Sequence, residues 1–217
     1  RRQRQMCIRD RPYAKPVEKT RHWAHTNRHI GLTETIRRIH PTILIGTSTD
    51  HDAFTQQVVE EMCREVERPI IMPLSNPTEK IEAMPADVIA WSKGKALVSV
   101  GIPVAPFHYE GTRYEIGQGN NALLYPGLGL GVIVSGAERV SARMIRAAAE
   151  AVASQVDPRP AGSSLLPAVE NLRASSATVA VAVVQAAIEE GLATKKPSNV
   201  VQAVQDAMWW PHYPPVG

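Results

Sequence analysis

At 217 residues, 44% of them apolar and 21% charged, the chain can bury a sizeable core, and its longest apolar runs (Ala177–Ala187, Leu128–Val134) fall short of the ~18–20 residues of a membrane span. Two cysteines, Cys7 and Cys63, are too few for a disulfide framework and lack zinc-site partners, so a reducing, cytoplasmic setting is expected. The net charge of +3 conceals an arm, residues 1–40, at +8 and a remainder at −5; the arm has no aromatic interleaving and no nucleic-acid module, so no nucleic-acid partner is expected.

The first eleven residues, "RRQRQMCIRDR", hold five arginines and no apolar period, and read as a non-native or artefactual arm. Met6 as a start codon is the alternative. From Pro41 the pattern sharpens: "TILIG" is a β-branched run bounded by Pro41 and Gly46, expected to be a strand buried on both faces. Phe54, Val58, Met62 and Val66 then recur every four residues, a helix with Asp50 or Asp52 placed to cap it. "PIIMPLSNP" predicts a second strand and a turn. A short helix follows with Pro85 in its first turn and Val88, Ile89 and Trp91 as apolar members. "ALVSVG" predicts a third strand ending at Gly101. Strand and helix alternating at this spacing imply an α/β fold with helices covering a parallel sheet.

Residues 101–136 hold eight of the fourteen glycines and are expected to be a loop with tight turns rather than another strand–helix unit. "AERVSARMIRAAAEAVA" then places Val140, Met144, Ala148 and Val152 on one helical stripe. After the connection "VDPRPAGSSLLP", the Ala- and Val-rich run Ser175–Glu190, closed by Gly191, predicts a buried helix. The tail "MWWPHYPPVG" is expected to pack on the surface or at a subunit contact.

In an open parallel sheet, ligands bind outside the carboxyl ends of the strands, where loops and helix starts converge. Three segments share that edge here: Gly46–Asp52, Ser75–Thr78 and Gly101–Phe107. Asn76, with one amide oxygen and two N–H donors before Pro77, is either a ligand group or an Asn-Pro turn satisfied by itself. Asn120 and Asn121 pose the same choice between a helix cap and a ligand site. One asparagine suffices for a cap, whereas two amides could hold a carboxylate together with a hydroxyl, keto oxygen or carboxamide. The glycines that follow do not make a dinucleotide fingerprint: after Gly127 and Gly129 the third position is Val132, and no strand leads into them. They are read as close packing and turns. Cys63, inside a helical pattern, reads as a core thiol, and the seven histidines form no ligand motif, with His22, His25 and His29 clustered in the arm.

Taken in order, "PTILIGTST", "AFTQQVVEEM", "RPIIMPLSNPT", "ALVSVGIP", "IGQGNNALLYPGLGLGVIVSGAERVS" and "SLLPAVENLRASSATVAVAVV" resemble the later part of the cofactor domain of malic enzymes, over roughly residues 30–195. "MWWPHYP" is similar to the end of some bacterial members. The resemblance implies a partial Rossmann-like, doubly wound parallel sheet followed by C-terminal helices. It divides the chain into an arm at 1–11, a cofactor-domain portion at 12–195 and a helix with an aromatic, proline-rich tail at 196–217. It assigns Asn76, Asn120 and Asn121 to malate, Asn76 and Asn120 also to the nicotinamide, and Gly46, Thr47 and Ser48 to the cofactor. Asp50 and His51 depart from the small residues common there, which loosens the cofactor contacts of that loop.

The reaction so implied is oxidation of malate at C2 by NAD or NADP, then loss of CO₂ to give pyruvate, with a divalent Mg or Mn ion polarising the keto oxygen. The family's lysine and tyrosine proton carriers, its acidic metal ligands and its glycine fingerprint have no counterparts in this sequence. The expectation is therefore a piece of a malic enzyme, inactive alone, with no catalytic or metal-binding residue of its own. The whole enzyme is expected to be a dimer or tetramer. The competing reading is a non-catalytic binding or oligomerisation module that kept the fold of a nicotinamide dehydrogenase.

Overall fold

Three short runs of branched apolar residues, each fenced by proline or glycine, form the parallel strands that organise the molecule. The computed structural model describes residues 16–23 and 30–210. The arm at 1–11 with Met6 and Cys7, the residues His25 and His29, and the tail from 211 onward lie outside the described residues. Two helices lead in, α1 (Val17–Thr20) and α2 (Leu32–Ile39). Then β1 (Ile43–Gly46), α3 (Gln56–Glu65), β2 (Ile70–Pro73), α4 (Pro85–Trp91) and β3 (Leu97–Val100) alternate as the pattern predicts. Ile43 pairs with Ile70 and Ile70 with Leu97, so the three strands run parallel and in step.

The strand period of two separates the sheet's faces. Ile71, Val98 and Val100 point into a core shared with Ile36 of α2, Val58, Val59 and Met62 of α3, and Val88 and Ile89 of α4. Ile43 and Ile45 of β1 lie on the opposite face and remain 49% and 57% exposed. The strand is thus not buried on both faces as its composition suggests, because the helices α2–α4 cover only one of them. The cap of α3 also differs from expectation: Thr55, not Asp50 or Asp52, is the N-cap, its hydroxyl accepting from Val58 N at 3.4 Å. Asp52 sits earlier, at φ 58°, with its N–H donating to the Ile81 carbonyl.

Residues 101–136 are the largest departure. They contain a hairpin, β4 (Phe107–Tyr109) with β5 (Thr112–Tyr114), and then β6 (Gly117–Gln118), which pairs parallel to β3 and completes the order β1-β2-β3-β6. A two-residue strand containing glycine carries no readable period; it is held by Ser99, fully buried, whose hydroxyl donates to the Gly117 carbonyl at 2.8 Å. The glycine-rich run beyond is helix α5 (Tyr125–Ser135). Glycine costs a helix roughly 1 kcal/mol per residue relative to alanine, and packing overrides that cost. A Cβ at Gly127 would stand 2.5 Å from Val179 Cβ, and one at Gly131 2.6 Å from Val183 Cγ1. The close-packing half of the sequence reading therefore holds at Gly127 and Gly131 but not at Gly129, where a Cβ would meet nothing within 4 Å, and the turn half does not hold.

The partner of α5 is α7 (Leu172–Glu189), the predicted Ala- and Val-rich helix. It is central to the second layer: Val179, Val183 and Ala187 pack with Leu128 of α5 and with Met144, Ala148 and Val152 of α6 (Ala142–Ala153). Ala180 and Val184 meet Val134 and Val204, the latter from α8 (Val200–Ala207). Val169–Glu189 is long and apolar enough to cross a membrane by length and composition alone, but helices flank it on several sides. Helix α6 starts later than the stripe implies: Ser141 caps it, accepting from Met144 N at 3.1 Å, so Val140 falls outside and is exposed. In the described part of the tail, Arg173 stacks on the Trp210 ring at 3.7 Å and donates to the Trp209 carbonyl. The result is a parallel α/β layer followed by C-terminal helices, a partial Rossmann-like topology.

Candidate functional site

Because the four strands of the main sheet are parallel, their carboxyl ends open onto one edge. The chain leaves that edge four times, after Gly46, Pro73, Val100 and Gln118. Ladder bonds carry order into each exit: Leu74 N donates to Gly46 O, Gly101 N to Pro73 O and Gly119 N to Val100 O. Gln118 Nε2 adds a bond of 3.0 Å to Gly101 O. A Cβ at Gly101 would meet Leu74 O at 2.2 Å and Asn76 Nδ2 at 2.8 Å, so the third exit lies directly against the second. Thr47, Ser48, Asn76, Asn120 and Asn121, which the sequence singles out, all stand exposed on this edge.

A residue the sequence reading did not single out ties two of the exits together. Glu82, between Ile81 and Ala83 ahead of α4, is fully buried. Its Oε1 accepts from Ser48 N at 2.7 Å, Ser48 Oγ at 2.8 Å and Ser75 Oγ at 2.5 Å, while Oε2 accepts from Ser75 N at 3.2 Å. The serines pass the order on, Ser75 Oγ accepting from Thr49 N and Ser48 Oγ from Asp50 N. Burial pushes the Glu82 carboxyl up, but the serine hydrogen bonds outweigh it and hold it below the usual carboxylate value, as an anion. Gly46 makes room for this group: a Cβ there would lie 2.6 Å from Glu82 Cδ. The only trace in the sequence is an acid set in the apolar stretch "IEAM".

The asparagines are held more lightly. Asn76 Nδ2 donates to Leu74 O at 3.3 Å, beside a cis peptide to Pro77. Asn120 caps the 3₁₀ turn Asn121–Leu123, its Oδ1 accepting from Ala122 N at 2.9 Å. One amide thus serves the cap, as the sequence argument requires. Asn121, the next residue, is exposed at the start of that turn. Ser48 differs from these, since its hydroxyl is turned inward to Glu82.

Other candidates are accounted for locally. His51 Nδ1 lies 3.1 Å from the Ile81 carbonyl, which can only accept, so that nitrogen carries the proton; Nε2 faces Asp52 at 3.4 Å. Burial pushes the Cys63 thiol up, away from nucleophilic character. Among the described residues no group of three or more His, Cys, Asp or Glu could hold a metal ion, and both oxygens of Glu82 are already engaged. The described residues do not fit a divalent ion. A groove of about 990 Å³ lies between α6 and α7 along Arg143, Arg146, Thr178 and Gln185, away from the sheet edge. Its charges are paired on its own walls, Arg143 with Glu189 and Arg146 with Glu150.

A family model described as malic enzyme, NAD binding domain, matches residues 1–188. The chain belongs to the malic enzyme family. It is 50% identical over 205 residues to a putative malate oxidoreductase [NAD] of Mycobacterium tuberculosis, covering 94% of this chain and 37% of that protein. NAD-dependent malic enzyme 3 of Bacillus subtilis is 47% identical over 95% of the chain and 37% of its own length. A malolactic enzyme of Lactococcus lactis is 44% identical over 93% of the chain and 38% of its own length. The chain thus spans little more than a third of the curated relatives it matches. The solved malic enzyme of Pyrococcus horikoshii superposes with a TM-score of 0.64 at 26% identity, covering 82% of this chain and 36% of that one. Within the malic enzyme domain, the exits of the parallel sheet carry the sequence's candidate residues, and the α6–α7 groove carries none of them.

Proposed function

We propose that this chain forms the later part of the cofactor domain of an NAD(P)-dependent malic enzyme, and that its sheet edge presents malate to the nicotinamide. The observation that carries this reading is the gathering of Thr47, Asn76, Asn120 and Asn121, all exposed, on the carboxyl edge of one parallel sheet. Carboxamides suit that task. They donate to a carboxylate and accept from a hydroxyl or a carboxamide without bringing charge to a carbon about to lose hydride. The nicotinamide, when bound, supplies the hydride acceptor. Asn121 and Asn76 would hold the malate carboxylate and hydroxyl, and the free N–H groups of Asn120 would meet the carboxamide of the dinucleotide. Holding C2 toward the ring is an orientation effect, a large share of the rate in reactions of this kind.

Proton carriers and a divalent metal would come from parts of the enzyme outside this chain. The test is steady-state kinetics on the whole enzyme that carries the chain. Asn121→Ala should lower kcat/KM for malate by at least about tenfold, near 1.4 kcal/mol. Unchanged kinetics would return Asn121 to the role of a turn residue. Because a malolactic enzyme is 44% identical over the same stretch, the assay should follow both NAD(P)H with pyruvate and lactate. Lactate without accumulating reduced dinucleotide would replace oxidative decarboxylation with the malolactic reaction at the same edge.

A further inference from the structure

A buried carboxylate that joins two ligand-facing loops, yet stands outside every residue assigned to ligand, calls for a role. Glu82 is fully buried, and its partners come from both sides, Ser48 from the exit of β1 and Ser75 from the exit of β2. Without it those exits would share the ladder bond Leu74 N to Gly46 O at the strand ends and, beyond it, Thr49 N to Ser75 Oγ, in which Thr49 takes φ 58°, a value unusual for a branched residue. We infer that Glu82 is a positioning residue for dinucleotide binding: by clamping Ser48 and Ser75 it holds Thr47 and Asn76 at the spacing the cofactor requires. The inference rests on the reading that this edge receives the dinucleotide.

The geometry defines which substitution is informative. Each carboxylate oxygen accepts from a different backbone N–H, Ser48 N on Oε1 and Ser75 N on Oε2. A hydroxyl can rotate to accept from an amide, but a backbone N–H cannot. Glu82→Gln keeps the shape and supplies one oxygen, so one of the two N–H groups must face an NH₂ and one loop is released. Ser48→Ala removes one hydroxyl donor to Glu82 and the acceptor of Asp50 N, and leaves both backbone bonds to Glu82 in place. The double change Ser48→Ala with Ser75→Ala also keeps both backbone bonds to Glu82, but removes the acceptors of Thr49 N and Asp50 N.

The experiment is direct titration of NAD⁺ and NADP⁺ into the whole enzyme, with Tm and kcat measured on the same samples. Glu82→Gln should weaken binding of the preferred dinucleotide by at least about tenfold, the loss expected for one buried donor left unpaired. At saturating dinucleotide and malate, kcat should change less than about threefold, because the residue meets neither reactant. Ser48→Ala should weaken binding less than Glu82→Gln does. If Glu82→Gln fails to fold, the double serine variant carries the test and should weaken binding several-fold. A lowered Tm with dinucleotide affinity within twofold of the unsubstituted enzyme would overturn the inference, leaving Glu82 a structural group only. Loss of kcat with unchanged affinity would overturn it equally. Failure of the underlying reading looks different: Asn76→Ala and Asn121→Ala would then leave the malate kinetics unchanged as well.

Discussion

The two halves of the candidate edge are held by different forces. Ser48 and Ser75, the chain neighbours of Thr47 and Asn76, are fixed by an anion, Glu82, whose oxygens collect four hydrogen bonds in a fully buried setting. Asn120 and Asn121 are fixed by a turn leading into α5, and α5 is seated on α7 by the absence of side chains at Gly127 and Gly131. One half depends on charge and directional bonds, the other on close apolar packing. The first should respond to pH and to isosteric change, the second to volume.

The largest effect should come from Glu82→Ala, which strands two backbone N–H groups and two hydroxyls in a buried site. A loss of about 3 kcal/mol in urea unfolding at neutral pH is expected; a loss under half of that would mean water satisfies these donors and the comparison is overstated. Next comes volume. Gly127→Ala drives a Cβ into Val179 and Ser176 O and should cost about 2 kcal/mol despite the better helix former. Gly129→Ala, two residues on, meets nothing within 4 Å and should instead stabilise by about 0.5–1 kcal/mol. Equal effects at the two positions would remove the α5–α7 seat from the account.

The smallest effect separates the halves by pH. Glu82 is held below its ordinary value in the folded protein, so the unfolded chain binds its proton at higher pH than the folded one. Its stabilising contribution is therefore fully present above the unfolded value and is lost as pH falls through the lowered folded value. Glu82→Gln should flatten that part of the stability profile between neutral and acid pH. Asn121→Ala should leave its shape unchanged. An acid limb that survives in Glu82→Gln would mean that Glu82 does not carry it.

Much of the fold was legible because its rules are local. Ile43–Gly46, Ile70–Pro73 and Leu97–Val100 are short apolar runs with proline or glycine at their ends, and Pro85 opens α4 as its fixed φ favours. What was missed depends on distant partners. Gly117–Gln118 is a strand only because Ser99 and the β3 ladder make it one, and α5 is a helix only because Val179 and Val183 receive its glycines. The exposure of Ile43 and Ile45 could not be read either, since a branched run looks the same whether one face or both are covered. The candidate site was legible where motifs carried it, at Asn76, Asn120 and Asn121. Glu82 was not, because a lone acid acquires meaning only when two serines from separate loops converge on it.

Hydrogen exchange on the whole enzyme with and without its dinucleotide bears most directly on the central claim that the carboxyl edge of this sheet is the ligand site. Dinucleotide should slow amide exchange in residues 46–52, 74–79 and 118–124, the exits that carry Thr47, Asn76, Asn120 and Asn121. Protection confined to the α6–α7 groove around Arg143 and Gln185, with those three segments unchanged, would contradict it.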